Sequence, residues 1–127
     1  MANAMPVAKV FEDLWVWQQA RDAVKNVYQE FGDETTASRD FGFRSQIQKA
    51  AVSIMNNIAE GFERNTDSEF ARFLDIARAS CGEVRSMYYV AEDFRYVTTE
   101  TANARRDQLR QLSAAIWKLA NKLRRGK

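Results

Sequence analysis

Apolar residues recur at helical spacing along four successive stretches of this chain. From Phe11 to about Phe31, residues Leu14, Trp17, Ala20, Val24, Val27, Tyr28 and Phe31 form one stripe of 3.6-residue period, and Gln18, Gln19, Asp22, Lys25 and Asn26 lie away from it. Trp15 projects from the polar side. A glycine and short polar side chains, Gly32 to Ser38, then break the pattern and offer caps. A second helix is predicted from about Arg39 to Gly61, with Phe43, Ile47, Ala50, Ala51, Ile54 and Ile58 as its apolar stripe and Gly61 as the left-handed residue just past its end.

Thr66-Asp67-Ser68-Glu69 reads as a capping box, in which Glu69 reaches back to the Thr66 amide. It opens a third helix carrying Phe70, Phe73, Leu74, Ala77, Cys81, Val84, Tyr88 and Ala91 on one face, as far as about Val97. Thr98-Thr99-Glu100 caps a fourth helix. Its Leu109, Leu112, Ile116, Leu119 and Leu123 repeat as a heptad seam. Short connections force long neighbouring helices to run antiparallel. The pattern therefore predicts an all-α protein, an antiparallel up-down-up-down four-helix bundle. Residues 1–8 read as a flexible N-terminal tail and residues 9–127 as a single bundle domain.

Beside the apolar stripes run polar ones. Gln46, Ser53, Asn57 and Glu60 lie together about 60 to 120 degrees from the core direction of the second helix. Glu69, Ser80 and Glu83 occupy the matching flank of the third. Polar groups beside a core need partners, since an unsatisfied buried one costs about 1–3 kcal/mol. Two readings of this seam stay open. It is an interhelical or intersubunit hydrogen-bond network that fixes register, or it is a groove for a ligand or a phosphate chain, with Arg64, Arg72 and Arg78 near enough in sequence to supply cations.

Composition narrows the chemistry. The chain has 127 residues, enough for a core without staples, and its single cysteine, Cys81, excludes an intrachain disulfide. Histidine is absent, which removes His-based triads, zinc-binding H-E-x-x-H helices and Glu-x-x-His di-iron sites. A magnesium site built from carboxylates alone would draw on Glu60 with Glu63, Glu83, or Glu92 with Asp93. These acids are sparse, no phosphate-cradling glycine loop occurs, and the expectation is a non-enzymatic protein with no cofactor and no metal. No stretch of about 18 apolar residues spans a membrane. Met1 to Val10 lack a basic region followed by an apolar run, so a cytoplasmic protein is expected.

Charge is unevenly placed. Eight of the 19 cations and one of the 17 acids lie from Arg105 onward, so that segment carries +7 and the remainder −5. The helix macrodipole accounts for cations in the last turn, among them Lys122, Arg124 and Arg125. It does not account for Arg105, Arg106 and Arg110, which sit in the first half of the helix. A basic helix on an acidic bundle points to an anionic partner. The candidates are RNA, DNA or the acidic surface of another subunit; nucleic-acid phosphates lead, with Arg105, Arg106, Arg110, Lys118, Lys122, Arg124 and Arg125 as contacts. The alternatives are a protein-interaction scaffold anchored by Trp15, and a small-molecule or magnesium-dependent enzyme using Glu60, Glu63 and Glu83.

Several segments, in order, carry a family likeness. They are Phe11-Glu12-Asp13-Leu14-Trp15-Val16-Trp17-Gln18-Gln19-Ala20, Gln46 to Ile54, Asn57-Ile58-Ala59-Glu60-Gly61, and Phe70 with Phe73 to Ser80 and Glu83. They resemble the bacterial four-helix bundle proteins named after the 23S rRNA intervening sequences that encode some of them. The likeness runs from about Phe11 to Leu123. Met55 stands where that family usually has proline, and Ala79 where it usually has glycine. The resemblance implies an antiparallel bundle that assembles with copies of itself into a ring, a homopentamer, and it carries over no catalytic residue.

Overall fold

The computed structural model describes residues 8–126. Nearly all of the expected tail, residues 1–7, and Lys127 of the basic segment lie outside them. A 3₁₀ turn, Phe11–Asp13, precedes four helices: α1 Trp15–Glu30, α2 Phe41–Phe62, α3 Asp67–Asp93 and α4 Thr99–Arg125. The first apolar stripe is therefore not one helix. Leu14 adopts an extended conformation between turn and helix. The Phe11 ring packs on Trp17 at 5.2 Å, and the Gln18 amide donates to the Glu12 carbonyl at 2.8 Å. These contacts fold the entry segment back onto α1.

Cross-helix pairs fix the directions. Ser53 meets Ser80 and Gln46 meets Glu83, so sequence numbers rise along α2 as they fall along α3. Arg106 reaches the Tyr88 carbonyl, Cys81 the Leu109 carbonyl, and Arg124 the Asp75 carboxylate, which runs α4 against α3. Arg105 near the start of α4 meets Glu30 at the end of α1. The helices are antiparallel in up-down order. No helix among the described residues is long and apolar enough to cross a membrane.

The core follows the predicted stripes closely on α2 and α3. Phe43, Ile47, Ala50, Ala51, Ile54 and Ile58 are all buried, as are Leu74, Ala77, Cys81, Val84, Tyr88 and Ala91. On α4, Leu109, Leu112 and Ile116 are buried, while Leu119 and Leu123 are partly covered. On α1 the stripe is skewed. Val16, Ala20 and Val27 are buried, but Tyr28 is 49% exposed and lines a shallow surface groove with Phe41, Gln48 and Val52 of α2.

The helix ends show why boundaries are harder to read than faces. Asp40, Thr66 and Thr98 each accept a hydrogen bond from the amide three residues on, at 3.1 Å, and so open α2, α3 and α4. The reciprocal half of the expected capping box does not form, because the Glu69 carboxylate turns to Arg72. Gly61 does not end α2 as a left-handed residue; it is buried inside the helix. A Cβ there would stand 2.7 Å from the Phe73 Cβ and 3.0 Å from the Phe70 ring. It is glycine because α3 crosses there. The third helix stops at Asp93 rather than near Val97. Arg95, at φ 61, takes the left-handed position, and the amides of Arg95 and Tyr96 close the turn onto Glu92 and Ala91.

Two residues absent from the sequence reading organise this end of the bundle. Arg44 donates to the Phe31 carbonyl, the Ser38 carbonyl and the Asp33 carboxylate, each at 2.8 Å, and so pins the loop between α1 and α2. The Tyr96 hydroxyl donates to the capping carboxylate of Asp40 at 2.6 Å, which ties the α3–α4 turn to the start of α2. That bond, followed by the Phe43 amide, holds the Asp40 carboxyl below its usual range.

Candidate nucleic-acid interface

The seven cations expected to face phosphates separate into two sets. Arg106 is 5% exposed and belongs to the interior. Its guanidinium lies 2.9 Å from Glu92, donates to Asn103 and the Tyr88 carbonyl, and stacks 3.9 Å from the centre of the Tyr89 ring. Burial of a charge is tolerable only with such pairing, and removing one partner of a buried pair typically costs about 3–5 kcal/mol. Arg106 is thereby corrected from a phosphate contact to a tie between α3 and α4.

Arg105 is likewise engaged. Its Nε donates to Glu30 at 2.6 Å, and the other Glu30 oxygen accepts from the Tyr88 hydroxyl at 2.7 Å. Burial, and then the adjacent Glu30 charge, raise the Tyr88 phenol well above its usual range. Arg124 is paired with Asp75 of α3, and that bond raises its pKa. Arg110 holds Asp107 one turn away at 3.4 Å, an exposed pair that leaves it accessible.

Lys118, Lys122 and Arg125 remain. All three are exposed, and none has an ion-pair partner among the described residues. Their spacing of four and three residues puts them on one face of the last two turns of α4. Trp117 beside them is half exposed. A polyanion bound here would have phosphates neutralised by these side chains and would release cations condensed along its own backbone.

The polar seam is built as a bridge between α2 and α3. Ser53 and Ser80 share a hydrogen bond of 2.8 Å, and the Gln46 amide reaches Glu83 at 3.4 Å. Asn57 does not cross; its amide donates back to the Ser53 carbonyl and hydroxyl at 2.8 and 3.0 Å. Farther along, Glu60 pairs with Arg64 and Glu69 with Arg72, and both guanidinium groups lie over the Phe73 ring. The hydrogen bond from Arg72 lowers the Glu69 carboxyl. Arg78, the third cation near the seam in sequence, is exposed.

The acids of the magnesium reading do not converge. Glu60 is taken by Arg64, Glu92 by Arg106, and Glu83 accepts from Gln46. Among the described residues no three acidic or cysteine side chains form a group able to hold a metal ion.

The order of these segments and the bundle they build coincide with one known family. The family model for the 23S rRNA-intervening sequence protein matches residues 12–118. The chain belongs to that family. The matched span takes in Glu12 and Asp13 of the turn before α1, the whole α2–α3 seam and α4 as far as Lys118. Lys122 and Arg125 stand beyond it. No curated protein matches the chain at a significant level.

Proposed function

We propose that this protein acts by binding, not catalysis: it is a cytoplasmic bundle that assembles with copies of itself and holds RNA, or a ribonucleoprotein, against the C-terminal face of α4. The observation that carries this reading is the row Lys118, Lys122 and Arg125, exposed and unpaired on one helix face. Elsewhere on α4 the guanidinium groups have carboxylate partners within the chain. Phosphates are the natural counter-charge for a strip of this kind.

Assembly is supported by the family resemblance, which implies a pentameric ring, and by Gly82. This glycine is exposed in the middle of α3, and a Cβ there would touch nothing within 4 Å. Mid-helix glycine costs about 1 kcal/mol relative to alanine. Close approach of a second copy would give that cost a purpose. A ring would also repeat the cationic face by symmetry, so that modest contacts add.

The test is a mobility-shift titration with single-stranded and duplex RNA. Lys118→Glu combined with Lys122→Glu should abolish the shift and leave thermal stability unchanged, because exposed substitutions rarely move stability by more than about 0.5 kcal/mol. An undiminished shift contradicts the reading. Trp15, 51% exposed, favours a protein partner as a second reading. In that case Trp15→Ala removes partner capture from a host lysate and the Lys118, Lys122 pair does not.

A further inference from the structure

One seam of the bundle is not zipped. α3 packs extensively on α2 and α4, but α1 meets α4 thinly. The flank that α1 turns to α4 reads Gln19, Ala23, Asn26 and Glu30, a heptad spacing filled by amides, a methyl and a carboxylate. A bundle normally closes such a seam with leucine or isoleucine. Here the gap stays open as a cleft of about 300 Å³. That is the low end of the size range of small-molecule sites.

The chemistry of the cleft is specific. Val84, Leu109 and Leu112 supply an apolar floor. Gln108 stands on the α4 wall and accepts from Arg105 through its carbonyl oxygen at 3.2 Å, which leaves its NH₂ free to donate. Gln19 and Asn26, half-buried on the α1 wall, carry no side-chain hydrogen bond among the described residues. A fully apolar ligand would strip water from three amides without replacing it, at about 1–3 kcal/mol each. The charges at the cleft balance, which favours neither an anion nor a cation: Arg105 is paired with Glu30 at one end, and Asp22 and Lys25, exposed on the α1 side, carry opposite signs. What fits is a flat, uncharged ring whose edge alternates donors and acceptors. Primary amides read such an edge two bonds at a time.

We propose that the cleft between α1 and α4 binds a nucleobase, its ring against Val84, Leu109 and Leu112 and its edge on Asn26, Gln19 and Gln108. The base comes either from a free nucleoside or from one unstacked residue of an RNA strand. This inference does not rest on the phosphate face of α4.

The test is an NMR titration of the isotope-labelled protein with adenosine, guanosine, cytidine and uridine separately, and then with a short mixed-sequence single-stranded RNA. At least one nucleoside, or the strand, should give saturable shifts at the Asn26 and Gln108 side-chain amides. Saturation by nucleosides alone identifies a free ligand, and saturation by the strand identifies an RNA base. Ala23→Leu fills the cleft and should weaken binding at least tenfold with no fall in melting temperature. Asn26→Leu is the second variant, should Ala23→Leu fail to fold. No saturable cleft shift with any nucleoside or the strand up to millimolar concentration overturns the proposal, as does affinity that neither variant changes. Loss of RNA retention in Lys118→Glu with Lys122→Glu, without cleft shifts, sinks the nucleobase site and leaves the phosphate face standing.

Discussion

Arg95 occupies a backbone position that suits glycine. Its φ of 61 lies in the left-handed region, where a Cβ crowds the following carbonyl at roughly 1–2 kcal/mol. Arg95→Gly should relieve part of that strain, offset by the larger chain entropy glycine loses on folding. The expected gain is about 0.5–1 kcal/mol in urea unfolding, and a loss of stability would mean that the arginine side chain holds the turn. Cys81 gives a residue-level prediction of opposite sense. Burial pushes its thiol from an ordinary 9.0 up to about 11, and the S–H donates to the Leu109 carbonyl. The folded state therefore favours the protonated thiol. Its contribution is complete below about pH 9 and disappears as pH climbs toward 11, a loss of roughly 2–3 kcal/mol. Tyr88 shifts the same way and adds to the decline above about pH 10, its ordinary range. Chemical denaturation across pH 8 to 11 measures the slope, and Cys81→Ala should remove the part that begins first.

At the scale of elements, the crossing of α2 and α3 is set by Gly61. An added methyl meets the Phe73 Cβ and the Phe70 ring closer than real contacts allow, so Gly61→Ala should destabilise by about 1–3 kcal/mol despite alanine's better helix propensity. A melting temperature that rises would refute the close approach. The same glycine shows what the sequence could and could not disclose. Periodicity revealed the buried faces of α2 and α3 because each has helices on both sides. It misplaced Tyr28, since a helical wheel does not say which flank of an outer stripe meets a neighbour. It misread Gly61 because a glycine near a helix end looks the same whether it turns the chain or admits another helix. Leu14 and Arg95 ended helices without any signature, as their conformations are decided by packing and by the turn that follows. The seam was legible as two polar rows, and Ser53 does meet Ser80. The fates of Arg105 and Arg106 were not. Arg105 finds Glu30 across 75 positions of sequence, a pairing that only the assembled bundle creates.

For the whole molecule, folding redistributes charge. Of the +7 carried from Arg105 onward, three charges are met by acids elsewhere in the chain. Glu30, Glu92 and Asp75 take Arg105, Arg106 and Arg124, and Asp107 shares Arg110. What α4 leaves exposed and unpaired is a compact patch on its final two turns. A phosphate-binding role then has a quantitative signature. Each phosphate neutralised on single-stranded RNA contributes about −0.7 to the slope of log affinity against log salt. Three cations per chain give a slope of roughly −2, steeper if several copies of a ring engage one strand. The deciding measurement is therefore RNA affinity across a salt series for the wild-type protein and for the variant with Lys118, Lys122 and Arg125 all changed to alanine. The account predicts a wild-type slope of about −2 or steeper and a nearly flat line for the variant. A flat wild-type line, or two parallel ones, contradicts it.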